Sequence, residues 1–199
     1  KNINLRHEIS AMAAHWRNPR LALLFGTAFL GMGTFVSLYN YLSFRMIDQF
    51  GLSEVLVGAV FIMYLAGTWS STQAGALREK IGNGSTVIFL SLTMIASMAL
   101  MGINNLWVTL VALFVFTAAF FALHSSASGW IGIIATKDRA EASSMYLFCY
   151  YVGSSVIGWV SGFAFTNLPW LAFIGWLILL LFGVLAICVT LARLARNAN

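Results

Sequence analysis

Six long apolar runs dominate this sequence and decide what the chain can fold into. The runs cover residues 20–46, 54–76, 84–103, 105–133, 143–166 and 168–192. Each run is near or above the roughly 20 residues with which a helix crosses the hydrocarbon core of a bilayer. Because lipid offers no hydrogen-bond partners, the backbone groups of each run must pair within the run as a helix. The sequence therefore predicts an all-α membrane protein with six transmembrane helices.

Composition and the two cysteines agree with this prediction. Apolar residues make up 60% of the chain and charged residues only 9%, against about 45–50% and about 25% in soluble domains. Cys149 and Cys188 both fall inside apolar runs, where a free thiol behaves as a small hydrophobe. The chain starts at Lys1, and its polar first 19 residues lack the apolar core of a signal peptide. We therefore expect a piece of a longer protein, without a disulfide framework.

The basic residues predict how the helices are oriented in the membrane. Ten of the eleven lie on one side of the six runs, namely Lys1, Arg6, Arg17, Arg20, Arg78, Lys80, Lys137, Arg139, Arg193 and Arg196. The opposite connections, 47–53, 103–105 and 166–168, contain none. Because short loops with Lys and Arg stay in the cytoplasm, we expect a multi-pass protein with both termini cytoplasmic. The net charge of +5 is then a topology signal, and nucleic-acid binding is not expected.

Residues 1–19 are predicted to form an amphipathic linker helix on the cytoplasmic surface of the membrane. The apolar positions of this segment share one helical face, namely Leu5, Ile9, Met12, Ala13 and Trp16. Pro19 and the residue before it interrupt the pattern. A surface helix that only joins two halves of a protein would have the same pattern. Residues 194–199 are expected to form a cytoplasmic tail after the six-helix domain, 20–193.

The distribution of polar residues predicts a repeat of three helices. The third and sixth runs carry few polar residues, whereas the other four carry tyrosine, asparagine, histidine and serine. Polar groups are costly against lipid, so the third and sixth helices are expected to face it. Units 20–103 and 105–193 are then inverted relative to each other, as in many transporters. Small residues four positions apart predict close packing of the inner helices, namely Gly67, Ser71, Gly75, Ala118, Ala122, Ser126, Ser154, Gly158 and Gly162.

The connection after the second run resembles a known family motif. Residues 75–84 have the sequence GALREKIGNG, similar to the cytoplasmic loop motif G-x-L-x-D-R-x-G-R-K of the major facilitator superfamily. Three positions match and two are replaced conservatively, namely Gly75, Leu77 and Gly82, and Glu79 and Lys80. Asn83 and Gly84 depart from the basic end of the motif. The glycines permit a tight turn between two helices, and an acid here can face a helix N-terminus of the other half.

Further stretches resemble the YnfM-like bacterial inner-membrane exporters of that superfamily, namely residues 40–41, 67–71, 120–130, 142–148 and 150–155. This resemblance covers nearly the whole chain and implies the C-terminal six of twelve helices. It implies a bacterial inner-membrane transporter whose partner is its own N-terminal six-helix half. It also implies drug efflux, which we expect to be proton-coupled export of cationic amphipathic molecules by alternating access. No cofactor is implied.

A transport pathway requires polar groups that converge between the inner helices near the middle of the bilayer. We predict a substrate cavity lined by polar and aromatic side chains at helical spacing, namely Ser37, Asn40, Tyr41, Tyr64, Thr68, Phe121, His124, Ser128, Tyr146 and Tyr150. Aromatic rings suit a flat cationic or amphipathic ligand. For any one tyrosine, core packing with a satisfied hydroxyl group is an equal alternative.

His124 is the one ionisable side chain well inside an apolar run, which makes it a candidate for proton coupling. A neutral histidine bonded to a nearby serine or tyrosine is the alternative. The acidic residues lie in the linker helix or at helix ends, namely Glu8, Asp48, Glu54, Glu79, Asp138 and Glu141. We therefore expect the main carboxylate carrier of protons in the missing half. Arg45 and Asp48 are expected to form a solvated pair at the outer end.

Other functions have weaker support in the sequence. An intramembrane protease would need a nucleophilic serine in a G-x-S-x-G or similar motif, which no serine has, so we do not expect an enzyme. His7 and His15 lie outside the apolar runs and His124 is alone inside, so no metal site is expected. Export of sugars or small organic acids is the alternative transport function. An isolated six-helix fragment that does not transport, and that pairs as a homodimer, is the alternative of another class.

Overall fold

The computed structural model describes the backbone of residues 5–197 and the side chains of residues 8–197. The predictions for Lys1, for the side chains of Leu5, Arg6 and His7, and for residues 198–199 lie outside that description. Residues 5–197 are helical apart from short connections and contain no strand. The α-helices are α1 (Leu5–Ala14), α2 (Pro19–Asp48), α3 (Glu54–Ala59), α4 (Tyr64–Ile81), α5 (Asn83–Leu100), α6 (Leu106–Ile134), α7 (Arg139–Asn167) and α8 (Trp170–Arg196).

Six segments are long and apolar enough to cross a membrane, which confirms the predicted all-α fold class. They are α2, the α3–α4 segment (Glu54–Ile81), α5, α6, α7 and α8. Several helices run past the apolar stretch that predicted them, as α4 does by continuing to Ile81. A helix can continue into the headgroup region because polar side chains are solvated there.

The second segment is not the continuous helix that its apolar run predicts. A 3₁₀ turn, Val60–Met63, separates α3 from α4. Gly58 lies just before this turn, and Val60, Phe61 and Ile62 make up its first three residues; all four have lower helix propensity than alanine or leucine. At its start, the Ser53 side chain accepts a hydrogen bond from the Leu56 amide over 3.4 Å, as an N-cap does. The turn places Phe61 and Tyr64 together against α2.

The six long helices form two three-helix units whose contacts are related by symmetry. The largest contacts of α2 are with α7, and those of α4 are with α6. Helix α5 packs against α6, α8 packs against α2, and α5 and α8 contact each other. Exchanging α2 with α6, α4 with α7 and α5 with α8 reproduces this set of contacts. Such an exchange is what an inverted repeat of three helices produces.

The second and fifth segments are the least buried in this chain. Within the most apolar stretch of each helix, 22% of α3–α4 and 28% of α7 is buried, against 39% of α5 and 33% of α8. The sequence predicted that the third and sixth helices, α5 and α8, would be the ones left open to lipid. The inner helices α4 and α7 therefore have apolar faces that this chain alone does not cover.

Helices α2 and α7 cross with their backbones in direct contact. A Cβ atom added to Gly153 would overlap the backbone of Phe29, and one added to Gly33 would lie 2.8 Å from the Gly153 carbonyl oxygen. The small-residue pattern predicted close packing through Ser154, Gly158 and Gly162. Ser154 is only half-buried, and the closest approach lies one residue earlier along the helix, at Gly153. Glycines at such a crossing allow two backbones to approach.

Helices α4 and α6 are joined by an equivalent contact in the other half of the repeat. Gly67 lies against the ring of Phe121, because a Cβ atom there would be 2.5 Å from that ring. The Ser70 hydroxyl group donates to the Ala118 carbonyl over 2.8 Å, and Ser71 donates to the Phe121 carbonyl over 3.4 Å. Small residues therefore bring these helices close enough for side chain to backbone hydrogen bonds.

Gly82 alone connects α4 to α5. Its φ of 82° and ψ of 158° lie in a region that essentially only glycine adopts. Its amide donates to the Arg78 carbonyl over 2.8 Å, and its carbonyl accepts from the amide and the hydroxyl group of Thr86. The turn therefore closes one helix and opens the next with a single residue.

Replacing Gly82 with alanine should lower the free energy of unfolding by about 1–3 kcal/mol, because a Cβ atom strains this backbone conformation. The unfolding midpoint in detergent checks this. Gly132→Ala is the matched control, since Gly132 lies inside α6 with nothing within 4 Å of an added Cβ atom. Equal unfolding midpoints for the two variants would contradict the prediction.

The linker helix α1 contacts the start of α7. The His15 ring nitrogen Nε2 donates to the Asp138 carbonyl over 3.0 Å. Trp16 packs edge-to-face on Phe25 at the start of α2, with ring centroids 5.1 Å apart. Asn18 caps α2 by accepting from the Arg20 amide over 3.0 Å. The placement of α1 on a membrane surface stays a prediction.

Candidate functional site

Aromatic rings from α2, α4 and α6 form one continuous cluster. Phe35 lies at its centre, with five ring centroids between 4.2 and 6.1 Å away, namely those of Tyr39, Tyr64, Phe116, Phe120 and Phe121. We call these six residues the aromatic cluster. Of its members, the prediction contained only Tyr64 and Phe121. Both are half-buried, so the cluster presents rings at its surface.

His124 extends this cluster toward α7. Its ring nitrogen Nδ1 lies 2.9 Å from the Tyr146 hydroxyl oxygen. Its ring lies 4.8 Å from that of Tyr150 and 6.3 Å from that of Phe120. The structure therefore brings together three predicted residues, His124, Tyr146 and Tyr150, and joins them to the cluster.

A small cavity lies beside this histidine. It is bounded by His124, Tyr146 and Tyr150 together with Thr27 and Gly31 of α2, and its volume is about 10 Å³. That volume is close to the least that holds one water molecule. In this conformation the site is therefore a packed group of rings with space for a water molecule, and it has no space for a larger ligand.

Two predicted residues of α2 hold helices together. Ser37 is fully buried, and its hydroxyl group lies within hydrogen-bonding distance of the carbonyls of Gly33 (2.7 Å) and Ile157 (3.4 Å). The Tyr41 hydroxyl group donates to the Gly158 carbonyl over 2.9 Å, and its ring stacks on a phenylalanine of α7. Both side chains face α7, so the structure does not bring them to His124.

Three other predicted residues lie on the exposed surface. Asn40, Thr68 and Ser128 are exposed. The Thr68 hydroxyl group donates to the Tyr64 carbonyl, four residues earlier, over 3.3 Å. These side chains do not meet in a cavity of this chain, and their role in binding stays a prediction.

Tyr39 is a polar member of the cluster that the sequence analysis missed. Its hydroxyl oxygen lies 2.6 Å from that of Thr117 on α6. Thr117 itself donates to the Leu113 carbonyl over 2.7 Å, so Tyr39 is the donor of the pair. Phe35 and Tyr39 are four residues apart and share a helical face. That spacing was visible, but both residues lie in a mainly apolar stretch of the run.

The residues of the loop motif surround the Gly82 turn. Leu77 packs against the core, Gly75 is half-buried, and Glu79 and Lys80 are exposed. Arg78 was not among the predicted site residues, but its guanidinium group lies over Gly129 of α6, 2.6 Å from a Cβ atom added there. This contact connects the basic end of α4 to α6.

The expected pair between Arg45 and Asp48 does not form among the described residues. The Arg45 guanidinium group lies 4.7 Å from the ring centroid of Trp170 and donates to the Asn104 side chain over 3.2 Å. An aromatic face attracts a cation electrostatically, and Trp170 supplies that face from the first residue of α8. This contact joins the end of α2 to the start of α8.

Cys149 and Cys188 are buried free thiols, as their positions predicted. Among the described side chains, residues 8–197, no three of His, Cys, Asp or Glu come together in a way that could hold a metal ion.

Six membrane-spanning segments in two exchanged units, with an aromatic cluster between them, define one half of a twelve-helix transporter fold. No protein-family profile matches the chain. It is 38% identical over 157 residues to the inner membrane transport protein YnfM of Escherichia coli, covering 78% of this chain and 38% of that relative. It is 33% identical over 185 residues to the uncharacterized MFS-type transporter YybF of Bacillus subtilis, covering 92% and 46%.

A solved structure agrees with this similarity. The peptide transporter POT, crystallised in complex with alafosfalin, matches with a TM-score of 0.76 at 20% identity, covering 85% of this chain and 37% of that one. The chain belongs to the major facilitator superfamily. It spans less than half the length of the relatives that it matches.

Proposed function

We propose that this chain is the C-terminal half of a proton-coupled transporter that exports cationic amphipathic molecules across the bacterial inner membrane by alternating access. The observation that carries the proposal is the aromatic cluster, which continues into His124 and Tyr146. Membership of the superfamily supports transport as the activity. YnfM is named an inner membrane transport protein, which supports the localisation. The basic ends of α2, α4 and α8 support cytoplasmic termini.

The substrate class follows from the chemistry of the cluster. A delocalised cation binds well against aromatic faces, and Tyr64 and Phe121 present such faces at the surface. No acidic side chain belongs to the cluster, so cation binding would rely on rings and on hydroxyl groups. Alternating access would widen this group of rings in another conformation.

The faces of α4 and α7 support a second six-helix half as the partner. Trp69 on α4 is 64% exposed and Trp159 on α7 is 67% exposed. Large contiguous apolar faces of this kind mark contact surfaces or lipid. In the proposal the N-terminal half covers them, Glu79 and Lys80 face it at the cytoplasmic end, and lipid surrounds the rest. A homodimer of this chain is the alternative partner.

Proton coupling would act through the bond between His124 and Tyr146. When Nδ1 of the imidazole carries no proton, it accepts a hydrogen bond from the Tyr146 hydroxyl group across 2.9 Å. When Nδ1 carries a proton, the imidazole donates and Tyr146 must turn its own proton elsewhere. The His124 carbonyl, 3.5 Å from that hydroxyl oxygen, is the nearest alternative acceptor. Protonation would therefore reverse the bond and change the contact between α6 and α7.

Uptake of a fluorescent cationic dye into inverted membrane vesicles tests the transport proposal. With an acidic lumen, dye should accumulate in vesicles that contain this chain together with its N-terminal half. Vesicles with either half alone should match empty membranes. If the folded two-half protein takes up no cationic dye, the proposed substrate class is wrong. Labelled sugars and organic acids would then be measured in the same vesicles.

A further inference from the structure

A cavity lies away from the aromatic cluster, at the basic end of the bundle. Its volume is about 530 Å³, and it is bounded by the start of α2, the turn before α5, and the ends of α6 and α8. None of its lining residues belongs to the aromatic cluster, and it does not contain His124. The transport proposal therefore gives this cavity no role.

Two arginine side chains line this cavity, one from the first and one from the last of the six long segments. Arg20 comes from the first turn of α2 and Arg196 from the last turn of α8. No acidic residue lines the cavity. Within the part of the chain that the structure describes, neither guanidinium group has a carboxylate or hydrogen-bond partner. Two unneutralised cations at one cavity favour an anionic ligand.

The start of α5 adds to this positive potential. Gly84 and Ser85, in the first turn of this 18-residue helix, line the cavity. The first amides of a helix lack partners within it, and the helix dipole makes this end positive. The amides and the two arginines therefore act on the same space.

The remaining wall of the cavity is apolar except for Asn83 and Thr136, and it is partly open. Ile81, Trp130 and Ile133 line it, and Ile133 is 63% exposed at the end of α6. A small free anion would gain nothing from such a wall. A molecule with an anionic group and an apolar chain would satisfy both parts.

We propose that this cavity binds the headgroup of an anionic phospholipid. The phosphate group lies between Arg20 and Arg196 at the start of α5, and an acyl chain follows Ile81 and Ile133 along the outside of the bundle. Basic pockets between transmembrane helices are suited to such headgroups. A lipid bound here connects α2 with α8 at the end where both arginines lie.

Native mass spectrometry of the purified protein, titrated with phosphatidylglycerol or phosphatidylcholine, tests the site. The double variant Arg20→Gln with Arg196→Gln should weaken binding of the first phosphatidylglycerol molecule by about tenfold or more. The matched control is Arg17→Gln with Arg193→Gln, which removes the same charge three residues away from each arginine, outside the cavity. The control should keep binding within about twofold of the unchanged protein, because only distant, screened charges are lost.

Two further measurements distinguish lipid binding in this cavity from nonspecific electrostatic attraction of anionic lipid to the protein. Ser85→Trp keeps both arginines but fills the cavity, and it should also weaken phosphatidylglycerol binding. Phosphatidylcholine should bind more weakly than phosphatidylglycerol, and millimolar inorganic phosphate should not displace the lipid. Equal losses in the two double variants, equal binding of both lipids, or displacement by phosphate would overturn the proposal.

Discussion

Replacing Gly153 with leucine should prevent the six-helix bundle from assembling, and Gly153→Ala should already destabilise it by about 3 kcal/mol. A Cβ atom at this position would overlap the backbone of Phe29 on α2. A backbone cannot turn away as the tip of a side chain can, so relief requires α2 and α7 to separate. These helices form the largest contact in the chain, and separation would expose much of it. Size-exclusion chromatography in detergent should show loss of the monodisperse peak for leucine and a lower melting temperature for alanine.

Gly175 provides the matched control for this prediction. It lies inside α8, and nothing is within 4 Å of a Cβ atom added there. Gly175→Leu should therefore elute and melt like the unchanged protein. Gly33→Ala should resemble Gly153→Ala, because its Cβ atom would lie 2.6 Å from that of Ile157 across the same crossing. If Gly153→Leu behaved like Gly175→Leu, the close crossing of α2 and α7 would be wrong.

The crossing also shows how far sequence patterns define packing. Hydropathy predicted the six spanning segments because length and apolar content are local properties of a chain. Small residues on α7 predicted close packing through Ser154, Gly158 and Gly162; the two glycines do lie against Tyr41 of α2, but the closest backbone contact is at Gly153. Neighbouring positions on a helix are 100° apart, so the correct choice depends on where α2 lies. That position is a property of the whole fold, and one helix does not encode it.

The same limit applies to the candidate site. Helical spacing put His124 on one face of α6 and Tyr146 and Tyr150 on one face of α7, and these residues lie together because the two helices are neighbours. On α2 the spacing selected Ser37 and Tyr41, which face α7. The face of α2 that carries Phe35 and Tyr39, two residues earlier in each case, is the one that meets the rings of α4 and α6. Polarity did not single out that face, because its central ring, Phe35, is apolar.

Hydropathy also does not distinguish a face that contacts lipid from one that contacts protein. The second and fifth segments carry more polar residues than the third and sixth, which predicted burial. They are nevertheless the least buried in this chain. Their polarity is consistent with a partner that the chain does not contain, so the prediction describes the assembled transporter better than this half.

His124→Ala should abolish accumulation of dye against its gradient by the assembled two-half transporter. An exchange of one proton for one monovalent cation is electroneutral, so a gradient of one pH unit supports about tenfold accumulation of dye, since tenfold corresponds to about 1.4 kcal/mol. Without a group that gains and loses a proton here, the ratio of dye inside to dye outside should fall to about one. Dye fluorescence in inverted vesicles with a defined pH gradient measures this ratio.

Two controls separate a coupling role from a packing role of His124. Exchange of dye between equal concentrations, with no pH gradient, should survive in His124→Ala, because that exchange needs a binding site but no net proton transfer. Tyr146→Phe keeps the buried ring and removes only the hydroxyl group 2.9 Å from Nδ1. It should retain accumulation with an altered pH dependence, since the histidine can still titrate but has lost its partner. If His124→Ala loses dye exchange as well as accumulation, the histidine acts through packing or binding. If that variant keeps full accumulation, proton coupling lies elsewhere, and the carboxylates of the N-terminal half become the candidates.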